Sequence, residues 1–273
     1  MLAIPDKKYM KKTSRVAIVI DLLKFFALSG LLIWLMARGT THSGYHWQWY
    51  RVPQFLFTVR NGKFAAGPLL QGLGVTLRIA GISLISAMLF GFLAAIFRLS
   101  HSFTARAVAR VYLELIRNTP LLIQLFCIYF VIAPVLDMGA FSSAVLALSL
   151  FEGAYASEIL RAGILSIHKG QWEAAYSLGI STPDMYRYII LPQAFRRILP
   201  PLASQAISLI KDSALVSTIA IYDLTMRGQA IVAETFLTFE IWFTVAAMYL
   251  LLTVSLSFFI HWLEKAMHKG ASR

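Results

Sequence analysis

The stretch EAAYSLGISTPDMYRYIILP, residues 173–192, is a polar island between long apolar segments, and the rest of the chain is organised around it. Residues 171–178 predict a short helix. Gly179 stands where a helix commonly ends, because glycine enters the left-handed conformation without a Cβ clash. The first half of the stretch therefore predicts a helix closed by a glycine.

The second half of the stretch predicts another helix. Ser181 or Thr182 offers a cap for its free backbone N–H groups. Pro183 suits the first helical position because its missing N–H would be unpaired there, and Asp184 complements the positive end of the helix. The whole stretch is expected to form two short helices joined by a rigid elbow.

The same residues resemble the EAA motif of the permease subunits of ABC importers. The residues that carry the match are Glu173, Ala174, Ala175, Gly179, Leu191 and Pro192. The resemblance implies that this loop is cytoplasmic and docks into a cleft of a separate ATP-hydrolysing subunit. The small alanines would allow close approach, and Glu173 would supply a polar contact. The alternative is an ordinary capped helix-turn-helix loop.

Composition indicates a membrane protein. The chain has 273 residues, of which 58% are hydrophobic and 14% are charged, which is too apolar for a soluble domain of this length. A net charge of +12 in a soluble protein would suggest nucleic acid. Here the distribution of the basic residues matters more than their sum, so the expected surroundings are a lipid bilayer and not nucleic acid.

Apolar runs predict an all-α, polytopic membrane protein with about six transmembrane helices, a five-helix permease core plus one N-terminal helix. The predicted spans are residues 16–37, 69–97, 111–132, 140–167, 203–221 and 241–263. The predicted domains are a cytoplasmic basic tail, first span and outer loop at 1–67, a permease domain at 68–268, and a tail at 269–273. The coupling loop, residues 168–192, lies within the permease domain.

The basic residues predict the orientation of this layout. The predicted inner segments hold sixteen lysines and arginines when Arg161, at the inner end of the span 140–167, is counted with them, whereas the outer segments hold five. Because basic residues concentrate on the cytoplasmic side, both termini and the coupling loop are expected inside. With the resemblance, this indicates a multi-pass protein of the bacterial cytoplasmic (inner) membrane.

A second motif, ELIRNTPLLIQ at residues 114–124, resembles the signature of the polar-amino-acid branch of these permeases. Helical spacing is expected to place four side chains on one face, those of Glu114, Arg117, Leu121 and Gln124. Arg117 and Gln124, with Thr119 beside them, are candidates to line the substrate path, since a guanidinium suits an α-carboxylate. The alternative is that Arg117 pairs with Glu114 to stabilise the end of this helix.

Two further sets of charged residues lie within apolar segments. Lys211 and Asp212, in SLIKDSALVS, resemble another element of the family and would lie near the membrane midplane if their helix begins near Pro201. They are read as a gate or substrate contact, or else as hydrogen-bonding groups between spans. Glu158 is expected to pair with Arg161, which leaves Glu152 as the candidate for a substrate ammonium group.

The resemblance also implies the partners. It implies two ABC ATPase subunits, a second permease subunit that is a copy or a paralogue, and an extracytoplasmic solute-binding protein that delivers an amino acid. No phosphate-binding GxxxxGK[ST] loop occurs in the chain, so ATP is expected to be used by the partner. No catalytic residue, metal or cofactor is predicted here. Glutamate, glutamine, arginine, histidine and cystine all remain open as substrates, and a secondary transporter or a multispan membrane enzyme is the alternative.

Overall fold

The computed structural model describes residues 15–42, 45–60 and 63–269. The predicted basic tail before Arg15 and the last residues of the predicted C-terminal tail lie outside the described residues. The chain forms two compact units that divide after Trp49. The first unit holds helix α1, Arg15–His42, which covers the predicted first span. Within it, Lys24 Nζ lies 3.8 Å from Asp21 Oδ1.

The second unit begins with short elements that were predicted only as an outer loop. Helix α2, Pro53–Leu56, leads into strands β1, Phe57–Arg60, and β2, Lys63–Ala66. The two strands pair antiparallel, with Phe57 opposite Ala66. The chain is otherwise helical where it is described, so the all-α class is confirmed with this one hairpin as an exception.

Three helices in the described part of the chain are long and apolar enough to cross a membrane. They are α3, Pro68–Leu99, and two helices that are numbered below, Ala140–Leu165 and Thr238–Lys269. In the last of these, the candidate span runs from Thr238 to Trp262. A bent helix pair would add a fourth crossing if it acts as one span. The polytopic helical class is confirmed. By length and apolar composition, however, the described helices provide three or four crossings, fewer than the predicted six.

The bent pair differs from the predicted loop at 98–110 and the predicted single span at 111–132. Helix α4, Phe103–Arg117, starts early because Ser102 Oγ accepts a hydrogen bond from the Ala105 N–H at 3.3 Å. The axis then turns by 107° before the next helices, which are α5, Leu121–Phe126, π-helical turns at Cys127–Ile132, and α6, Ala133–Leu136. Pro120 explains the break, because it has no N–H and disfavours helical geometry in the preceding residue.

The remaining helices follow in order. They are α7, Ala140–Leu165, α8, Lys169–Ser177, α9, Thr182–Met185, π-helical turns at Tyr186–Ile190, and α10, Leu191–Asp212, then 3₁₀ turns at Ser213–Ile219, α11, Leu224–Thr235, and α12, Thr238–Lys269. The connection predicted at 222–240 therefore contains a helix, which begins where Asp223 Oδ1 accepts from the Met226 N–H at 2.8 Å.

The predicted crossing at 203–221 is wrong in its bounds. Helix α10 begins ten residues before Pro201, runs through Pro200 and Pro201, and ends at Asp212. A proline removes only its own N–H, so a helix held by packing on both sides can continue through it. Buried Ile198 and Leu209 supply that packing before and after the prolines.

Helices α3 and α7 pack closely through small residues. A Cβ on Gly153 would lie 2.9 Å from the Phe90 Cβ and 3.0 Å from the Tyr112 hydroxyl. A Cβ on Gly91 would lie 2.8 Å from the Ala156 Cβ. Close backbone approach between small residues is typical of membrane helix pairs.

We expect Gly153→Leu to destabilise the protein by about 1–3 kcal/mol or more, because the added side chain must push α3 and α4 away from α7. Gly81→Leu on α3 is the matched control, since a Cβ at Gly81 meets nothing within 4 Å. Thermal unfolding of the two purified variants measures the difference. Equal melting temperatures would contradict the close α3–α7 contact.

Candidate functional site

Gly179 ends helix α8 in the left-handed conformation, as predicted, with φ at +69°. Its N–H donates to the Tyr176 carbonyl at 3.0 Å, and the Ile180 N–H donates to the Ala175 carbonyl at 3.1 Å. This pair of bonds is the Schellman motif, which uses the last free carbonyls of a helix. The elbow is therefore closed by hydrogen bonds that a left-handed glycine permits.

Ser181, and not Thr182, caps the second short helix. Ser181 Oγ accepts from the Asp184 N–H at 3.4 Å and donates to Asp184 Oδ2 at 2.6 Å. Pro183 occupies the second position of α9 and not the first, because the helix already begins at Thr182. The predicted cap is confirmed, with the helix register shifted by one residue.

A small hydrophobic core holds the whole segment 168–192, called the elbow from here on, against the end of α7 and the start of α10. Its fully buried side chains are those of Ala175, Met185, Ile190 and Ala194, with Ile167 and Ile198 beside them. Trp172 and Tyr186 pack edge to face at 5.4 Å between ring centroids. Burial, with Tyr176 nearby, raises the pKa of Tyr186 above its usual value, so its hydroxyl stays neutral. The elbow thus moves with the two long helices.

Only one of the two alanines, Ala174, lies on the outer surface of the elbow. Glu173 and Ala174 are exposed, whereas Ala175 is 1% exposed and belongs to the core. Two apolar side chains that sequence reasoning missed also face outward, Tyr176 at 59% and Leu178 at 77%. Leu178 follows Ala174 by four residues, so the helical period was the signal that could have found it. Leu191 is partly exposed and Pro192 is exposed, both at the start of α10.

A polar clamp joins the elbow to the long helices and was also missed. Arg197 on α10 donates to the Ser166 carbonyl at 2.6 Å and to its hydroxyl at 3.1 Å, at the end of α7. Gln193 Nε2 donates to Gln171 Oε1 on α8 at 3.3 Å. These contacts link residues far apart in sequence, so no local pattern indicates them.

Arg117 lies beside Glu158 and not beside Glu114. Its Nη1 is 3.9 Å from Glu158 Oε2, while the Glu114 carboxylate accepts from Asn118 Nδ2 at 2.8 Å. The alternative pairing of Arg117 with Glu114 is therefore wrong, because the helix places Asn118 at that carboxylate. The predicted pair of Glu158 with Arg161 is confirmed at 2.6 Å, and Arg98 also binds this carboxylate.

Gln124 and Thr119 bridge the break between α4 and α5. Gln124 Nε2 donates toward the Ile116 carbonyl at 2.7 Å and lies 2.9 Å from both the carbonyl and the hydroxyl oxygen of Thr119. Because the helix stops at Arg117 and restarts at Leu121, the four side chains predicted on one face do not share a continuous helix. Gln124 Oε1 is buried without a hydrogen-bond partner in the described part of the chain.

Glu152 lies in a buried polar cluster between α7 and α10. The residue is 1% exposed, and its Oε2 accepts from Gln205 Nε2. The Asp212 side chain also lies near this carboxylate, while Glu152 Oε1 has no partner among the described residues. Lys211 is exposed, so the structure brings Glu152 and Asp212 together and leaves Lys211 apart. Helix α10 ends at Asp212 and is followed directly by the 3₁₀ turns at Ser213–Ile219.

Comparison with known proteins identifies close similarities. Residues 87–269 match the family described as "Binding-protein-dependent transport system inner membrane component". The chain is 42% identical over 202 residues to the glutamine transport system permease protein GlnP of Escherichia coli (strain K12), covering 73% of this chain and 92% of that protein. It is 40% identical over 209 residues to the L-cystine transport system permease protein TcyB of Bacillus subtilis (strain 168), covering 76% and 89%.

Solved structures give the same result. One, titled "Crystal structure of an amino acid ABC transporter with histidines", superposes with a TM-score of 0.69 at 37% identity and covers 73% of this chain and 94% of its own. A chain of the MetNI methionine ABC transporter in an inward-facing conformation superposes with a TM-score of 0.62 at 17% identity. It covers 73% of this chain and 95% of its own, and at that identity it supports the fold alone.

Proposed function

Since this chain belongs to the family of binding-protein-dependent transport system inner membrane components, we propose that it is the membrane permease subunit of an ABC importer for a polar amino acid. The glutamine and L-cystine permeases among its relatives support a polar amino acid as the substrate. In this role the chain forms the translocation path and carries out no covalent chemistry.

The observation that carries the proposal is the exposed and rigidly anchored elbow at residues 168–192. Its outer surface offers Glu173, Ala174 and Leu178 to a partner, while the buried side chains beneath it attach to α7 and α10. Because the elbow is rigid and packed on α7 and α10, a displacement of its exposed surface is transmitted to these two helices. We assign this surface, with Ala175, Gly179, Leu191 and Pro192 as its supporting residues, to docking of a separate ATPase subunit that uses the ATP.

The other partners follow from this assignment. The importer needs a second permease subunit, which is a copy of this chain or a paralogue, and an extracytoplasmic solute-binding protein. Both termini and the elbow lie in the cytoplasm of a bacterium, with residues 1–67 forming the basic tail, first span and outer loop. Residues 68–268 form the permease domain, and 269–273 a tail.

The substrate path in this proposal runs along the inner faces of α4, α5, α7 and α10. Its candidate residues are Arg117, Thr119, Gln124, Glu152, Lys211 and Asp212. The strongest support belongs to Glu152 and Gln124, because each keeps a buried oxygen without a partner among the described residues. A buried acceptor is costly to leave unpaired, so a donor on the passing substrate would offset that cost.

The geometry supports a mechanism of rigid-body rocking. When the ATPase subunits close, they pull the elbows of two permease subunits together. Helix α7 runs without interruption from Glu152 to Leu165, and Arg197 on α10 holds its end at Ser166, directly before the elbow. A displacement of the elbow therefore moves Glu152 and its neighbours on α10, which changes the side of the membrane to which the path opens.

Co-purification followed by transport tests the proposed function. We expect the tagged full-length chain to retain an ABC ATPase subunit from its own membranes. Reconstituted in liposomes with its solute-binding protein, this complex should take up labelled glutamine only with ATP. Uptake by the isolated chain driven by an ion gradient would overturn the proposal in favour of a secondary transporter.

A further inference from the structure

A cavity of about 240 Å³ lies between α4 and the ends of α3 and α7, outside the elbow. Five arginines and one acidic residue line it: Arg98, Arg106, Arg110, Arg117, Arg161 and Glu114. Of these, only Arg117 has a role in the proposed transport function. Guanidinium groups gathered around one cavity repel one another unless anions neutralise them.

The carboxylates nearby neutralise only part of this charge. Glu158 forms ion pairs with Arg98 and Arg161, and Arg117 Nη1 lies 3.9 Å from its Oε2. Glu114 is the second acidic group, and it already accepts from Asn118. Five guanidinium groups against these two carboxylates leave a formal charge of +3 around the cavity.

One of the arginines keeps unused donors. Arg110 forms no hydrogen bond or ion pair with any residue that the structure describes. Arg106 lies one helical turn before Arg110 and donates to the carbonyls of Ser100 and His101, 3.1 Å each. The cavity therefore offers positive charge together with free N–H groups, which is the chemistry of a phosphate site.

The opposite face of α4 is apolar and open. Its exposed side chains include Val108 at 55%, Val111 at 58% and Leu115 at 63%. A helix with arginines on one face and exposed apolar residues on the other is typical of the membrane interface, where acyl chains meet lipid head groups. The apolar face thus favours a lipid over a phosphate free in solution.

We propose that the arginine cavity, formed by Arg98, Arg106, Arg110, Arg117 and Arg161, binds the phosphate group of an anionic membrane lipid. The apolar face of α4 lies among the acyl chains, so head group and tails are both matched by one helix. Basic pockets between transmembrane helices are suited to such head groups. This site is separate from ATPase docking, and it shares only Arg117 with the proposed substrate path.

Lipid titration of the purified full-length chain tests the proposal, with phosphatidylglycerol as the probe and native mass spectrometry as the measurement. The double variant Arg106→Gln/Arg110→Gln should bind phosphatidylglycerol roughly 30-fold more weakly, because two basic side chains near the lipid charge are lost. The control Arg187→Gln/Arg196→Gln removes the same charge from exposed positions outside the cavity and should bind as the wild type does.

A charge-preserving variant and a second lipid distinguish a specific lipid site from a general attraction of anions. Arg106→Lys/Arg110→Lys keeps the charge and should retain most of the binding, which guards against loss of structure at the start of α4. Phosphatidylcholine should bind far more weakly than phosphatidylglycerol. The proposal would be overturned if the two lipids bound equally well, or if the Gln variant and its control lost binding to the same extent. It would also be overturned if inorganic phosphate at millimolar concentration displaced the lipid.

Discussion

We expect uptake to fall about 100-fold when Ala174 is replaced by tryptophan, while the permease itself should stay folded. Ala174 is exposed on α8, so a large ring at this position does not disturb the core beneath the elbow. It does prevent the close approach of a partner helix or cleft, and a displacement of about 1 Å at a working interface can cost two orders of magnitude in rate. ATP-driven uptake in liposomes and ATPase activity of the complex measure the effect.

The expected signature of Ala174→Trp is specific. Substrate-stimulated ATP hydrolysis should be lost together with uptake, whereas the melting temperature of the chain should stay close to that of the wild type. Thr104→Trp is the control, because it adds the same ring to an exposed position at the start of α4. If Ala174→Trp transported normally, the elbow could not be the docking surface.

Glu152→Gln is expected to reduce uptake by at least about 30-fold without loss of assembly. Its Oε1 is buried and unpartnered among the described residues, while its Oε2 accepts from Gln205 and the Asp212 side chain lies nearby. In the proposal Glu152 pairs with the substrate ammonium group, and replacing one charged partner of a buried ionic contact commonly costs 2–5 kcal/mol, about 30-fold or more. The substitution keeps the shape of the side chain, so the loss would report the missing charge.

Concentration dependence of uptake separates recognition from architecture. If Glu152 contacts the substrate ammonium group, the KM for the transported amino acid should rise, while co-purification of the ATPase subunit should be unchanged. Ser149→Ala is the control on the same helix, because Ser149 is buried but bonds to the Val145 and Ser83 carbonyls and not to this cluster. A Glu152→Gln permease with normal KM and normal maximal rate would remove Glu152 from the substrate path.

These two results would also test whether one rigid element connects the two ends of the mechanism. Glu152 belongs to α7, which ends at Leu165 just before the elbow, and Gly163 on that helix lies against Ile198 of α10. Because the helices have no room to slide at that contact, a force on the elbow moves both of them. The proposed coupling therefore needs no flexible link between ATPase docking and the buried cluster.

The sequence alone determined the local features of this protein. The glycine that ends α8, the serine that caps α9 and the long apolar helices depend on contacts within about one helical turn, so residue spacing contains enough information to predict them. The family resemblance rests on the same short stretch. The missing N–H of Pro120 is likewise a local feature, but the 107° turn that follows it depends on packing.

Only the tertiary structure decided which side chains meet. It buried Ala175 and exposed Ala174, brought Arg98 and Arg117 to Glu158, and joined Glu152 to Gln205 across 53 residues of sequence. These contacts join different helices, and a helical period predicts which face a side chain takes but not which helix lies opposite. For that physical reason the elbow could be predicted from its residues, whereas the arginine cavity and the buried carboxylate cluster could not.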